Sequence, residues 1–315
     1  MSRSPTLMMT DAGHFEVSYV INPWMTPDAW SKDREGHFRA AQAASAALAK
    51  ALEAAGAEVI CGAGAPGLPD MVFPANAAIV LDRRALVARF RYPERRGEEP
   101  LFLKAFEGFK AGGLLDVVEQ FPEGCFQEGA GDCIWDATRQ RFWAGYGQRS
   151  KREAIDVVEE FFGAPVTPLE LISPRFYHLD VCFLPLSGGE VVYYPKAFSP
   201  EGLAAIRNAV PRDMLIEASD EDAQGFCVNA VNIGRQIVMA QPKDGLRAKL
   251  TERGYVVTGI DLSPFIMAGG GAYCMTLRLD RMRAVDALAK SASALWLGSK
   301  HVVIPGRVLA GTGTA

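Results

Sequence analysis

A period of close to 50 residues recurs along this 315-residue chain and constrains its fold more than any other feature. Each period opens with a polar or reactive residue that precedes two short apolar stretches separated by a turn. The opening residues are spaced by 56, 48, 49 and 45 residues, and they are Asn76, Asp132, Asp180, Asn229 and Cys274. Repetition of this kind is typical of units that bury their hydrophobic faces against one another. The spacing therefore predicts a radial α/β arrangement of similar units, although an ordinary open α/β sheet would show the same alternation.

Within each period, the apolar pattern predicts a β-hairpin followed by a helix. Before the first period, residues 15–21 alternate and are rich in β-branched residues, which predicts a strand. Residues 35–55 are Ala-rich and end before Gly56, which predicts a helix, and residues 57–61 predict a further strand. The hairpin strands are predicted at 77–81 and 85–90, 133–135 and 141–146, 181–186 and 190–194, and 231–233 and 236–239, the helices at 101–111, 152–162, 199–210 and 243–253, and the last strand at 273–279.

The composition excludes several classes of protein. With 49% hydrophobic and 22% charged residues, the chain is globular rather than disordered. Its net charge of −4 leaves no basic excess, so no nucleic-acid partner is expected. The first residues lack the apolar core of a signal peptide, and no uncharged apolar run is long enough to predict a membrane span.

The six cysteines indicate neither a metal site nor a disulfide framework. They stand at positions 61, 125, 133, 182, 227 and 274 and form no CxxC pair, so no thiolate zinc site is expected. In a chain of this length we expect reduced thiols in a cytoplasmic protein. No organic cofactor is expected either, because the sequence contains neither a P-loop nor a dinucleotide-binding glycine motif.

Two segments carry candidate catalytic side chains. His178 and Asp180 lie two residues apart just before a predicted strand, and in a strand conformation they would share a face on which the Asp holds the His in one tautomer. Cys274 follows the glycines at 269–271, and a cysteine beside such a run is a candidate nucleophile. Each has a purely structural alternative, namely a histidine satisfied in the core and a cysteine that packs as a small hydrophobe.

Five further polar residues are candidates for binding. Glu128 and Asp132 flank a glycine-rich stretch before a predicted hairpin, where carboxylates can meet a planar cation; a solvated turn is the alternative. Asn76 holds the same place in the preceding unit, either as a ligand contact or as a turn former. Arg95 and Arg149 are of the residue type that best holds a substrate carboxylate, although most surface arginines have no such role.

Four of these segments together resemble the guanidino-group-modifying enzyme superfamily: Phe73-Pro-Ala-Asn76, Glu128-Gly-Ala-Gly-Asp132, His178-Leu-Asp180 and Gly269-Gly-Gly-Ala-Tyr-Cys274. Its members include arginine and agmatine deiminases, dimethylarginine dimethylaminohydrolases, amidinotransferases and arginine dihydrolases. The resemblance implies the pentein fold, a five-bladed α/β propeller of ββαβ units, as a single catalytic domain over residues 1–280. Residues 281–315 would form a C-terminal extension, with a helix at 282–296 and a tail.

The resemblance also implies catalytic roles. Cys274 would be the nucleophile that attacks the guanidinium carbon. His178 would protonate the leaving amine and then activate water. Glu128 would orient His178, although the length of the acidic motif leaves Asp132 open as the partner of His178.

Binding roles follow from the same resemblance. Asp132 and Asp180 would face the guanidinium group. Arg95 and Arg149 would clamp the carboxylate of an amino-acid substrate. Asn22 would lie in a mobile loop that closes over the substrate.

The substrate expected first is free L-arginine, processed by dihydrolase or deiminase chemistry to ornithine or citrulline and ammonia. The segment INPWM at 21–25 and Asn76, where many members carry Asp, resemble the arginine dihydrolases. Tyr273, where deiminases often have His, argues against an agmatine deiminase. The alternatives are dimethylarginine hydrolysis to citrulline and dimethylamine, amidino transfer, and a non-catalytic binding module. A small guanidino molecule is the expected partner, and a homodimer is expected on family grounds.

Overall fold

The computed structural model describes residues 4–284, which form five three-stranded sheets flanked by helices. The strands are β1 (Thr6–Thr10), β2 (Glu58–Gly62), β3 (Ala78–Leu81), β4 (Arg84–Val87), β5 (Val117–Gln120), β6 (Cys133–Asp136), β7 (Arg141–Tyr146), β8 (Val166–Glu170), β9 (Phe183–Pro185), β10 (Val191–Tyr193), β11 (Leu215–Glu217), β12 (Val231–Ile233), β13 (Gln236–Ala240), β14 (Val256–Ile260) and β15 (Leu277–Arg278). The helices are α1 (Pro27–Lys32), α2 (Arg34–Ala54), α3 (Pro93–Arg96), α4 (Glu98–Ala111), α5 (Gly129–Asp132), α6 (Ala154–Phe162), α7 (Pro200–Ala209), α8 (Asp220–Gln224), α9 (Asp244–Glu252) and α10 (Ser263–Ile266).

Four of the sheets repeat one pattern. Two antiparallel strands form a hairpin, a helix follows, and a third strand returns parallel to the second, as in β3, β4, α4 and β5. A parallel neighbour needs a crossover connection, and the helix supplies it. The predicted repeat of a hairpin and a helix is therefore confirmed in the order of the elements, and each unit gains a third strand.

The fifth sheet joins the two ends of the described chain. β1 lies in the middle, antiparallel to β15 and parallel to β2, with α2 as the crossover helix between β1 and β2. All five residues of β1 are buried. The sheet therefore repeats the pattern of the other four, with its first strand taken from the C-terminal end and its other two from the N-terminal end.

Three expectations from the sequence were wrong in detail. Residues 15–21 form no strand, because Phe15, Val17 and Ile21 are buried as an irregular loop that packs on the core without pairing. Of residues 273–279 only Leu277–Arg278 is strand, since the N–H groups of residues 273 and 274 donate to a side chain instead of a neighbouring strand. The third strand of each later sheet was missed, because these strands are short and partly exposed and so lack a strong apolar pattern.

The first strand of each sheet places the functional residues. β3 and β6 are buried along their whole length, and the chain enters each of them from a short turn that carries polar side chains. The predicted C-terminal helix at 282–296 and the tail after it lie outside the described residues. Among residues 4–284, no helix has the length and apolar character needed to cross a bilayer.

The closing strand β1 is expected to be essential for stability. Met8 is 2% exposed and pairs with Leu277 of β15, so Met8→Ala should lower the free energy of unfolding by about 2–5 kcal/mol. Val256→Ala, at a position 55% exposed in β14, is the matched control and should cost less than about 1 kcal/mol. Urea unfolding measures both, and equal small losses would show that β1 is not an integral strand.

Candidate active site

The candidate site lies where the chain enters the first strands of the five sheets. Hydrogen bonds that span long stretches of sequence bring these entrances together: Asn76 contacts His178, Asp132 accepts from the backbone of Leu179, and Asn229 contacts Cys274. The backbone N–H of Ala75 also donates to the carbonyl of Cys274 at 3.2 Å. The five residues that open the repeats are thus gathered at one place, as a radial arrangement predicts.

Cys274 is held between an acid and an amide. Its Sγ lies 3.2 Å from Asp180 Oδ2 and 3.1 Å from Asn229 Nδ2, and the side chain is 2% exposed. Burial, and next the carboxylate of Asp180, raise the pKa of the Cys274 thiol well above its usual range. These surroundings favour the neutral thiol, and a cation placed beside it would favour the thiolate.

Asp180 presents an unused acceptor next to the thiol. Its Oδ2 accepts from Cys274, whereas its buried Oδ1 has no hydrogen-bond partner among the described residues. Burial raises the pKa of Asp180 to about 7. Since a buried carboxylate oxygen is costly to leave unpaired, this arrangement suits a ligand that brings N–H donors and positive charge.

His178 pairs with Glu128 rather than with Asp180. Its Nε2 lies 2.8 Å from Glu128 Oε2 and 4.0 Å from Asp132 Oδ2. The extended conformation that would align His178 with Asp180 is absent, because residues 179–181 form a single 3₁₀ turn, and the two side chains contact different partners. Between the two acids that the sequence left open, the hydrogen bond goes to Glu128.

Glu128 is a buried, charged residue shared by two partners. Its Oε2 also accepts from Arg149 Nη1 at 2.8 Å, and its Oε1 accepts from the backbone N–H of Arg91 at 3.2 Å. Burial alone would raise the pKa of Glu128, but Arg149 and His178 outweigh it and hold the pKa well below its usual range. The carboxylate is thus available to stabilise a positive charge on His178.

Asp132 holds the backbone next to His178 in position through a hydrogen bond. Its Oδ2 accepts from Ser150 Oγ at 2.6 Å and its Oδ1 from the backbone N–H of Leu179 at 3.0 Å. Burial raises the pKa of Asp132 to about 6. Both oxygens are engaged by protein groups, so the structure shows a positioning role, and its predicted contact with a guanidinium stays a prediction.

Asn76 faces His178 through its amide nitrogen. Nδ2 lies 3.4 Å from His178 Nδ1, and Oδ1 accepts from Arg95 Nη1 at 2.8 Å. The arginine contact defines which end of the amide is the oxygen, because a guanidinium only donates. A Cβ at Gly131 would collide with Asn76 Nδ2, so the glycine permits this close approach.

Both predicted carboxylate-binding arginines are buried and already paired. Arg95 donates to both carboxylate oxygens of Glu98, at 2.9 and 2.8 Å. Arg149 donates to Glu128 and to the carbonyl of Ile21, and its guanidinium stacks on the ring of Tyr177 at 4.6 Å. The structure thus places both arginines in the walls of the site, and their action as a substrate clamp stays a prediction.

Asn22 connects the loop after β1 to the glycine run. Its Nδ2 donates to the carbonyl of Ala268 at 3.0 Å, and its Oδ1 accepts from the backbone N–H of Trp24 at 2.9 Å. A Cβ at Gly269, where φ is +88°, would lie 2.8 Å from Asn22 Oδ1, and one at Gly270 would overlap the ring of Phe73. The glycines are therefore required by close packing around Cys274.

Sequence reasoning missed three residues of the site. Asn229 was recognised as the opening of a repeat but not as a partner of the cysteine, whose sulfur and backbone it contacts. Asp70 is 3% exposed and lies 3.9 Å from Arg95 Nε. The hydroxyl of Tyr19 is buried beside it, and burial, with the charge of Asp70 next, raises the pKa of Tyr19. Only Asn229 had a signal in the sequence, through its place in the period.

The acids, cysteines and histidines of the site are not arranged as metal ligands. Within 4–284, no group of three or more His, Cys, Asp and Glu side chains is arranged to hold a metal ion. The acids of the site instead pair with arginines, with His178 or with the thiol.

Comparisons with known proteins agree with these observations. A protein-family model described as N,N dimethylarginine dimethylhydrolase, eukaryotic, matches residues 20–281. The bifunctional arginine dihydrolase/ornithine cyclodeaminase ArgZ of Synechocystis sp. is 38% identical over 275 residues, which cover 87% of this chain and 37% of ArgZ. The N(G),N(G)-dimethylarginine dimethylaminohydrolase of Mycobacterium tuberculosis is 34% identical over 277 residues, 88% of this chain and 86% of that protein.

Solved structures show the same relationship. The N-terminal domain of ArgZ, as a cysteine-to-serine variant bound to substrate, matches with a TM-score of 0.82 at 37% identity, over 89% of this chain and 99% of that domain. A dimethylarginine dimethylaminohydrolase adduct matches with a TM-score of 0.68 at 19% identity, over 87% of this chain and 99% of the other, which shows a shared fold. The chain thus has an α/β fold of the pentein type, although it spans only about 37% of the length of full ArgZ. It belongs to the dimethylarginine dimethylaminohydrolase family of guanidino-group-modifying enzymes.

Proposed function

We propose that this chain is a cysteine hydrolase that cleaves the guanidinium C–N bonds of L-arginine by dihydrolase chemistry. The observation that carries the proposal is the buried Cys274 thiol, which contacts an otherwise unpaired carboxylate in the same site as the His178–Glu128 pair. The similarity to ArgZ supports arginine as the substrate, since its N-terminal domain has been solved with substrate and with product.

The guanidinium would bind where acceptors are unused. Asp180 offers Oδ1 beside the nucleophile, and Asp70 places a second buried carboxyl group close to Arg95 and Tyr19. A planar cation on Asp180 would satisfy that oxygen and, at the same time, lower the pKa of Cys274. Substrate binding would thus generate the thiolate that attacks it.

The first half of the reaction releases ammonia and forms citrulline. Cys274 Sγ attacks the guanidinium carbon, a C–S bond forms, and His178 delivers a proton to the leaving nitrogen as the C–N bond breaks. Water, deprotonated by His178, then attacks the amidino carbon, and the C–S bond breaks to release citrulline and the thiolate. Glu128 remains charged and stabilises His178 whenever it carries the extra proton.

In a second round Cys274 would attack the ureido carbon of citrulline, and ammonia would leave with a proton from His178, which leaves a thiocarbamoyl group on the sulfur. Water would then break the C–S bond and release N-carboxyornithine, which loses carbon dioxide to give ornithine. Citrulline is neutral at its ureido group, so a site made only of carboxylates would hold it poorly. Asn76 places a neutral amide in contact with His178, where it suits both a cation and a ureido group. An asparagine-to-serine variant of the N-terminal domain of ArgZ has been solved covalently bound to a reaction intermediate, which supports a role for an asparagine in this chemistry.

Dimethylarginine hydrolysis is the second candidate. The matching family model and the relative from Mycobacterium tuberculosis favour it. It would use the same cysteine, histidine and glutamate, and would release dimethylamine and citrulline in a single round. Amidino transfer and a non-catalytic binding module have no such support in the site.

We also propose a five-bladed propeller architecture for this chain. The five sheets would be the blades of a propeller, which the shared pattern of the sheets and the meeting of their first strands support. Residues 1–280 would be the single catalytic unit, with 281–315 as an extension. A cytoplasmic location fits the six free cysteines, and a homodimer stays a prediction from the family resemblance.

Product analysis tests the proposed reaction. Purified protein incubated with L-arginine should yield ornithine and two equivalents of ammonia. If arginine is left unchanged and dimethylarginine yields citrulline and dimethylamine, the second candidate is the correct assignment.

The variant Cys274→Ser tests the nucleophile, and it should lower kcat by at least about a thousandfold with substrate binding largely kept. Cys61→Ser, at an exposed cysteine, is the matched control. Native-like turnover by Cys274→Ser would refute the assigned nucleophile.

Asn76→Asp should separate the two rounds. A carboxylate at this position favours the cationic guanidinium over the neutral ureido group, so the ratio of ornithine to citrulline should fall about tenfold or more, equivalent to roughly 1.4 kcal/mol. Asn208→Asp, exposed on α7, controls for the added charge. Amino-acid analysis of the products measures the ratio, and an unchanged ratio would contradict the role given to Asn76.

The pH dependence should reflect Asp180. Burial raises the pKa of Asp180 to about 7, so the carboxyl is neutral below that pH and loses its attraction for a cation. The value of kcat/KM for arginine should therefore fall about tenfold per pH unit below about pH 7. Citrulline, as a neutral substrate, should show a shallower acid limb, and identical profiles for both substrates would argue against Asp180 as the cation acceptor.

A further inference from the structure

A cavity of about 120 Å³ lies along the first strands of the five sheets, namely β3, β6, β9, β12 and β15. One residue from each strand shows its position: Ile79, Trp135, Leu184, Val231 and Leu277 all line it. The active-site residues precede these strands, so the cavity lies farther along them. Taking roughly 10–15 Å³ of this volume for each water, the space would hold a small organic molecule.

The walls of this cavity are mainly aliphatic, but two nitrogen donors are left unused. Trp135 is 3% exposed, and its buried Nε1 has no hydrogen-bond partner among the described residues. Arg281 also lines the cavity, as does Tyr273, whose phenol lies near enough for Arg281 to affect its pKa. An indole N–H and a guanidinium only donate, so these two groups suit an acceptor. Asp136 also lines the cavity, but its carboxylate already accepts from Arg139 and Trp143.

Arg281 carries a charge that the surrounding acids do not neutralise. Burial lowers the pKa of Arg281, which shows that its environment opposes the charge. The acids that act on it from nearby are committed elsewhere, Asp136 to Arg139 and Asp280 to Arg278. Within residues 4–284, no carboxylate lies at ion-pair distance from Arg281. Arg281 is half-buried, and a partly desolvated cation without an ion pair favours binding of an anion.

We propose that this cavity is an accessory binding site for a small aliphatic carboxylate. Arg281 supplies the opposite charge, Trp135 Nε1 supplies a further donor, and the leucine and valine side chains of the strands pack on the hydrocarbon part. Inorganic phosphate fits less well, because it has no apolar part to cover the aliphatic walls. The proposal is independent of the reaction at Cys274, which does not line the cavity.

Calorimetric titration tests this site with butyrate as the probe, and with phosphate and butyramide for comparison. The full chain carrying Cys274→Ser, saturated with L-arginine, keeps the probe out of the guanidino site. We expect one equivalent of butyrate to bind, and Arg281→Gln to weaken it by about tenfold or more. Arg283→Gln, at a nearby arginine that pairs with Asp82 outside the cavity, is the matched control and should bind normally.

Several results would overturn the proposal. The proposal is wrong if butyrate shows no saturable binding, or if the Arg281→Gln protein binds butyrate as tightly as the protein with Arg281. It is also wrong if saturation with arginine abolishes butyrate binding, or if phosphate or butyramide binds more tightly than butyrate in a way that depends on Arg281. Arg281→Gln should retain a native Tm, because Arg281 is half-buried and its replacement breaks no ion pair within residues 4–284. If that variant fails to fold, Trp135→Phe decides instead: weaker butyrate binding supports the site, and unchanged affinity refutes it.

Discussion

Pairing of β1 with both β2 and β15 is the interaction on which the rest of the structure depends. It joins the two ends of the described chain in one sheet and so completes the set of five. Cys274 lies three residues before β15, and its carbonyl accepts from the backbone of Ala75, at the entrance to β3. Without this sheet, the cysteine would have no defined position relative to the histidine and the acids contributed by the other units.

Electrostatic balance explains how the site can be both stable and ready for a cation. Arg95 is neutralised by Glu98, and Arg149 by Glu128, so the two buried arginines add little net charge. Among residues 4–284, the carboxylate of Asp180 forms no ion pair, and its Oδ2 accepts from the neutral thiol of Cys274. The arginines of the site are therefore paired with acids, whereas Asp180 keeps an oxygen that a cation could contact.

The sequence predicted the repeating units well and their third strands poorly. Hairpins such as β6–β7 are buried and strongly apolar, so their pattern is visible. β14 is half-exposed along its length, and nothing in its composition marks it as the parallel partner of β13. Residues 15–21 show the opposite error, because burial of alternate residues in a loop imitates a strand. Periodicity reports burial, and burial does not require pairing.

The sequence by itself determined the kinds of side chain in the site and their order in the chain, because Cys274, His178 and the acids all open or adjoin repeats. Only the tertiary structure decided which of them pair. His178 meets Glu128 across 50 residues, and Cys274 meets Asp180 across 94. Such contacts depend on how the sheets are placed around one another. His178 Nε2 lies 2.8 Å from Glu128 and 4.0 Å from Asp132, so a difference near 1 Å decides which acid forms the hydrogen bond. Local propensity carries no information at that distance, since it describes neighbours along the chain, whereas hydrogen bonding selects neighbours in space.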